Sequence, residues 1–283
     1  MTLLTIAQNV LGELDLGVPS AAYTSTDATV KQLLRLINRS GQLIAKVTGW
    51  EALNREYTFS TVAGTDSYDL PSDFDRLVPS SEFNRGDTRP LIGPMSAQDW
   101  QYEKSGAASL ITGKAFRVKG GRFYVTPTPT AAQTFAFEYI TNRWCTAQQW
   151  VTGTAYTAGA SVSNRFNRYT AAGSGTSGAT APTHTSGSAS DGGISWTFQD
   201  AGYTAFAADT DIAKLPEYLI ELEALWRFMR VKGMSYDEER NTAEKEIAKY
   251  AGREAGRDII VMGGNEDVAV PFGVTADGNW TIS

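Results

Sequence analysis

The sequence predicts an α+β fold, a four-helix bundle combined with a small antiparallel β-sheet region. Three observations support this prediction. Apolar residues recur every three or four positions near both ends of the 283-residue chain, which is typical of amphipathic helices. Between these regions apolar and polar residues alternate, which is typical of half-buried strands. Charged residues almost disappear between residues 148 and 204, which indicates an inserted module of different composition.

Two helices are predicted before the strands. Ile6 and Val10 lie on one face of a short amphipathic helix over residues 5–16. A second helix begins at Asp27, whose carboxylate can accept hydrogen bonds from the free N–H groups of the first turn. This helix runs for about five turns, and its apolar stripe requires a partner helix.

The alternating region predicts a small antiparallel sheet. A hairpin is expected around the turn at residues 63–66, and a clearer one around the Gly120-Gly121 pair. A third strand over residues 135–141 places its aromatic side chains on one face.

Two further helices are predicted after the inserted segment. The first has Pro216 in its first turn and Gly233 just after its last, an arrangement that helices favour. Ser235 and Glu238 then form a capping box that opens a fourth helix. This helix is expected to stop near Gly252.

The inserted segment carries four conspicuous aromatic residues, Trp150, Tyr156, Tyr169 and Trp196. A small β module needs such rings to build a core, and core packing is the favoured interpretation. The alternative is that their flat faces stack on a glycan or on another protein.

The residue inventory excludes several classes of function. Cys145 is the only cysteine and His184 the only histidine, so an intrachain disulfide or a thiolate zinc site cannot form. No grouping of base, nucleophile and metal ligands is recognisable, so we expect no enzyme activity, no catalytic residues, no metal and no cofactor. The net charge of -6 disfavours a broad grip on nucleic acid.

The sequence also gives expectations about location. No apolar run reaches the roughly 20 residues that span a membrane. The first basic residue is Lys31, which does not fit a secretory signal. We therefore expect synthesis and folding in a cytoplasm and no membrane partner.

Several short blocks, taken in order, resemble the head-to-tail adaptor (connector, or head-completion) proteins of tailed bacteriophages. The first blocks are residues 50–59 (WEALNREYTF), 68–77 (YDLPSDFDRL) and 90–94 (PLIGP). Later blocks include residues 208–211 (ADTD) and 215–217 (LPE). The resemblance covers residues 1–147 and 205–258, the two parts of an adaptor core. Residues 148–204 are instead similar to small carbohydrate-binding-like modules of phage structural proteins.

The resemblance implies a virion structural protein that is made in the bacterial host cytoplasm and is located at the head-tail junction. Its partners would be the portal protein, a tail or nozzle protein and further copies of itself, in a homo-oligomeric ring of twelve. Genomic DNA would pass through this ring without sequence-specific binding. The alternative is a glycan-binding surface or decoration protein of the virion that acts through the inserted module.

Two sets of residues are candidates for contacts in such a ring. Leu225 and Phe228 form a second apolar stripe on the third predicted helix, which could face a neighbouring subunit. Residues 259–283 form an extended arm whose apolar side chains would be exposed in an isolated chain and are expected at the portal. These portal-binding candidates are Ile259, Ile260, Val261, Met262, Val268, Val270 and Phe272.

Overall fold

A computed structural model describes residues 1–105 and 113–254 of the chain. This part contains five helices and several small antiparallel sheets, which confirms the mixed α+β class. The helices are α1 (Leu3–Glu13), α2 (Ala28–Ala45), α3 (Ala97–Lys104), α4 (Glu217–Lys232) and α5 (Asp237–Glu254).

The ends of the helices follow from local chemistry. Asp27 caps α2 as predicted, because its carboxylate accepts hydrogen bonds from the N–H groups of Thr29 and Val30 at 2.7 and 3.0 Å. Helix α4 ends at Gly233, which adopts the left-handed conformation (φ 74°) that glycine tolerates best. Helix α5 continues through Gly252 to Glu254, slightly further than expected.

The helices pack around α4, which contacts α1, α2 and α5. Helix α5 makes its main helix contact with α4, and the predicted four-helix bundle is not confirmed. Apolar side chains from α1, α2 and α4, such as Ile6, Leu33 and Leu219, meet in one buried core. Trp144, which follows the strand region, completes this core.

Sixteen strands occur in the described residues. They are β1 (Asn54–Ser60), β2 (Ser67–Asp69), β3 (Phe74–Leu77), β4 (Phe83–Asn84), β5 (Arg89–Pro90), β6 (Ala115–Lys119), β7 (Arg122–Thr126), β8 (Thr134–Thr141), β9 (Cys145–Thr146), β10 (Ala155–Tyr156), β11 (Ser161–Asn164), β12 (Asn167–Ala171), β13 (Gly175–Thr176), β14 (Ser188–Asp191), β15 (Ile194–Asp200) and β16 (Ile212–Ala213).

Two sheets form the β part of the core. Strand β8 lies at the centre of the first sheet, between β1 on one side and β3 and β4 on the other, and β5 extends it beyond β4. The second sheet has the order β2-β7-β6. Aromatic rings from both sheets share one core, in which Phe123 stacks on Phe116 and Phe137 with ring centroids 4.9 and 5.3 Å apart.

One predicted hairpin is right and the other is wrong. Strands β6 and β7 pair across Gly120 and Gly121, both with positive φ, as the sequence indicates. Strands β1 and β2 do not pair with each other, because β1 pairs along its whole length with β8 and β2 pairs with β7. The aromatic core between the sheets requires these non-local pairings, and they override the local turn signal.

The inserted segment contains strands β10–β15. Strands β11, β12, β15 and β14 form a four-stranded sheet in that order, and β10 pairs with β13. A separate apolar core lies within this segment. Its two ends meet at one place, where Cys145 and Tyr203 exchange backbone hydrogen bonds of 3.3 and 2.7 Å. We call this pairing, together with the adjacent β9–β16 pair, the neck.

Candidate interaction surfaces

The aromatic residues of the inserted module form its core. Tyr169 and Trp196 are fully buried and Tyr156 is 7% exposed. Tyr156 and Trp196 meet edge to face at 5.2 Å, and half-buried Trp150 packs against the same cluster. Core packing is therefore confirmed for the three buried rings, and their faces are not available to stack on a glycan or on another protein.

Leu225 and Phe228 are also buried within the chain itself. Leu225 is 3% exposed and Phe228 is fully buried, and both belong to the core shared by α1, α2 and α4. This corrects the expectation that they face a neighbouring subunit, because a side chain inside its own subunit has no surface left for a partner. The exposed residues of α4, such as Tyr218 and Arg230, remain available for such contacts.

Phe228→Asp is expected to destabilise the chain by at least about 3 kcal/mol, since it removes a buried aromatic ring and places a carboxylate in an apolar core. Urea unfolding followed by circular dichroism measures the change. Tyr218→Asp on the exposed face of the same helix is the control and should change stability little. A folded Phe228→Asp variant with wild-type stability would contradict the core assignment.

The seven portal-binding candidates between Ile259 and Phe272 lie outside the described residues. Their role remains the prediction made from the sequence.

Polar contacts near the neck lie within the module and between the module and Lys214. Arg168 donates two hydrogen bonds of 3.0 Å to the carboxylate of Asp200 and lies over the ring of Tyr203 at 4.6 Å. Burial opposes ionisation of Asp200, but the hydrogen bonds from Arg168 and Gly202 outweigh it and lower the Asp200 pKa. The Lys214 ammonium group donates to the carbonyl oxygen of Ala201.

Lys214 makes the stability of the chain depend on pH. Burial, reinforced by repulsion from Arg55, lowers its pKa from 10.5 to about 7. Above pH 7 the unfolded chain therefore binds more protons at this residue than the folded chain, and the free energy of unfolding rises with pH. The Lys214 contribution is expected to reach at most about 1.4 kcal/mol per pH unit.

Thermal unfolding between pH 7 and 8.5 tests this expectation. Cys145 stays protonated in the folded chain over this range, because burial raises the pKa of its thiol. The melting temperature of the wild-type chain should rise relative to that of Lys214→Met across this window. Parallel profiles for the two proteins would show that Lys214 is charged in the folded chain.

A groove between α4 and α5 is lined by three arginine side chains. Its volume is about 530 Å³, and Trp226 forms its floor. The guanidinium groups of Arg227, Arg230 and Arg240 lie 4.5, 5.2 and 5.9 Å from the centre of a Trp226 ring. Tyr236 stacks on the same indole. We call these five residues the arginine groove.

The arginines of this groove differ in how far their charges are balanced. Arg227 pairs with Glu223, which also accepts the Trp226 indole N–H at 2.7 Å, and Arg240 pairs with Glu244 at 2.8 Å. Arg230 is exposed, and its contact with the Trp226 ring leaves its charge open to an anionic partner. The groove thus combines a rigid aromatic floor with a surplus of positive charge.

The opposite side of α4 carries negative charge. Glu217 and Glu221 lie one turn apart on α4, and Glu13 lies nearby at the end of α1. Burial and the neighbouring carboxylates of Glu217 and Glu13 raise the pKa of Glu221. Only part of this charge is neutralised, by the Met1 amino group 2.7 Å from Glu217. We call these three glutamates the acidic edge.

Neither surface was predicted from the sequence. Trp226 falls on the apolar stripe of α4, which favours a purely structural role. The arginines at positions 227, 230 and 240 come from two helices, so their approach to one indole ring depends on the packing of α5 on α4. The spacing of four residues between Trp226 and Arg230, which places both on one face of α4, was the available signal.

No group of three histidine, cysteine or acidic side chains suited to a metal ion occurs in residues 1–105 and 113–254. Within the same residues, none of the helices is long and apolar enough to cross a membrane.

The family model described as SU10 adaptor protein matches residues 1–166. This match covers more than half of the 283 residues, and the chain belongs to the SU10 adaptor protein family. It is thus a phage adaptor, a structural protein of the virion that interacts with other virion proteins. The match ends at Phe166, within the inserted module. No curated protein matches the chain.

Proposed function

We propose that the chain forms a closed ring of twelve copies between the portal and the tail of the virion and continues the channel through which DNA passes. The match to the adaptor family over residues 1–166 carries this proposal. In this assembly residues 259–272 contact the portal, and the lower face of the ring contacts the tail or nozzle protein. The inserted module projects outward, away from the channel.

The charge distribution supports the passive passage of DNA. The net charge of the chain is -6, and two arginines of the arginine groove are paired with carboxylates. A channel wall that binds phosphate groups strongly would slow the movement of DNA, so low affinity suits a conduit. The glycan-binding alternative loses its main support because the module uses three of its four aromatic rings as a core.

Electron microscopy of the chain mixed with isolated portal rings tests the proposal. A second ring of fixed copy number should appear on one face of each portal ring. Retention of the chain on polysaccharide beads without any binding to portal rings would contradict the proposal and favour the glycan-binding alternative.

A further inference from the structure

The arginine groove and the acidic edge lie on opposite sides of α4. A helix turns by about 100° per residue, which directs Glu217 and Glu221 to one side and Trp226 and Arg230 to the other. Side-chain contacts agree with this direction, because Asn9 of α1 donates a hydrogen bond to Glu221 and Arg240 of α5 lies over the Trp226 ring. Each copy of the chain therefore carries a positive and a negative surface on two separated faces.

A closed ring needs this kind of arrangement. Neighbouring copies in a cyclic ring meet through two different patches, one on each side of the subunit. Patches of opposite charge favour the correct head-to-tail contact and disfavour contacts between two identical faces.

We propose that the arginine groove of one copy binds the acidic edge of the next copy in the ring. This inference rests on the proposed ring assembly and names the surfaces that close it. Arg230 of one copy faces the exposed Glu13 of its neighbour, with Glu217 beside it. The Trp226 indole holds the arginine side chains in place, which limits the conformational freedom that they lose on binding.

Charge reversal tests the proposed contact. Arg230→Glu and Glu13→Lys each place like charges opposite each other, and each is expected to raise at least tenfold the concentration needed for half-maximal ring formation on portal rings. The two residues are exposed, so both variants should fold as the wild type does by circular dichroism. Lys245→Glu, on an exposed position of α5 outside the groove, is the matched control and should assemble normally.

Two combinations distinguish a direct contact from separate defects. The double variant Arg230→Glu with Glu13→Lys restores opposite charges at every contact and should assemble more readily than either single variant. An equimolar mixture of the two single variants should also assemble, because alternating copies again present opposite charges. Normal assembly of either single variant would overturn the proposed contact. So would a double variant that assembles no more readily than the single variants.

The wild-type chain separates this inference from the proposed function. If the wild type binds no portal ring and forms no ring of its own, the proposed function fails. If the wild type forms rings and the charge variants do so equally well, the proposed ring assembly is retained and only the assignment of its contact surfaces fails.

Discussion

Truncation after Arg257 is expected to weaken binding to portal rings by at least about 100-fold while leaving the fold intact. The apolar cores described above are built by residues that precede this point. The removed segment carries Ile259, Val268 and Phe272, and burial of a large apolar side chain contributes about 1.5–3 kcal/mol. Loss of several such contacts at the portal therefore exceeds the 2.7 kcal/mol that a 100-fold change represents.

A shorter truncation provides the control. Removal of residues 274–283 keeps all seven portal-binding candidates and should leave portal binding unchanged. Surface plasmon resonance with immobilised portal rings measures both variants. Equal affinities of the full-length chain and the chain truncated after Arg257 would show that another surface anchors the adaptor.

Replacement of residues 149–201 by a short Gly/Ser linker is expected to leave a folded chain that still forms rings on the portal. The module has its own apolar core, and the neck holds its two ends together through backbone hydrogen bonds that this deletion keeps. An inserted domain is tolerated where its ends lie close together in the host. The melting temperature should fall only slightly, because contacts such as that of Lys214 with Ala201 are lost.

A longer deletion shows whether the boundary is correct. Removal of residues 145–204 also takes away strand β9 and the fully buried Cys145 of the helical core, so this variant should be strongly destabilised or insoluble. Size-exclusion chromatography and electron microscopy with portal rings compare the two deletions. An insoluble 149–201 deletion would place the module inside the adaptor core.

The sequence predicts those features that local chemistry decides. Helix α2 begins where Asp27 caps it, and α4 ends at Gly233, because capping groups and glycine act within one turn. Helix α3 was missed because it is short and buries only Trp100, so it has almost no apolar periodicity. The partners of β1 and β2 were missed because strand pairing between distant segments has no local signal.

The surfaces were less predictable than the fold. Phe228 and Trp226 both look like apolar positions of one helix, yet Phe228 is core and Trp226 supports three arginines. Only the position of α5 distinguishes them. Likewise, a sequence rich in aromatic residues is expected both for a module that binds a ligand and for one that only needs a core. The burial of Tyr169 and Trp196 shows that these two rings fill the core.

The neck makes the segment that it closes a replaceable part of the chain. Main-chain hydrogen bonds between Cys145 and Tyr203 hold two strands about 5 Å apart and depend little on side-chain identity. A compact domain whose termini are adjacent meets the geometric requirement of this position. A fluorescent protein placed there would label the virion while keeping every residue of the helical core.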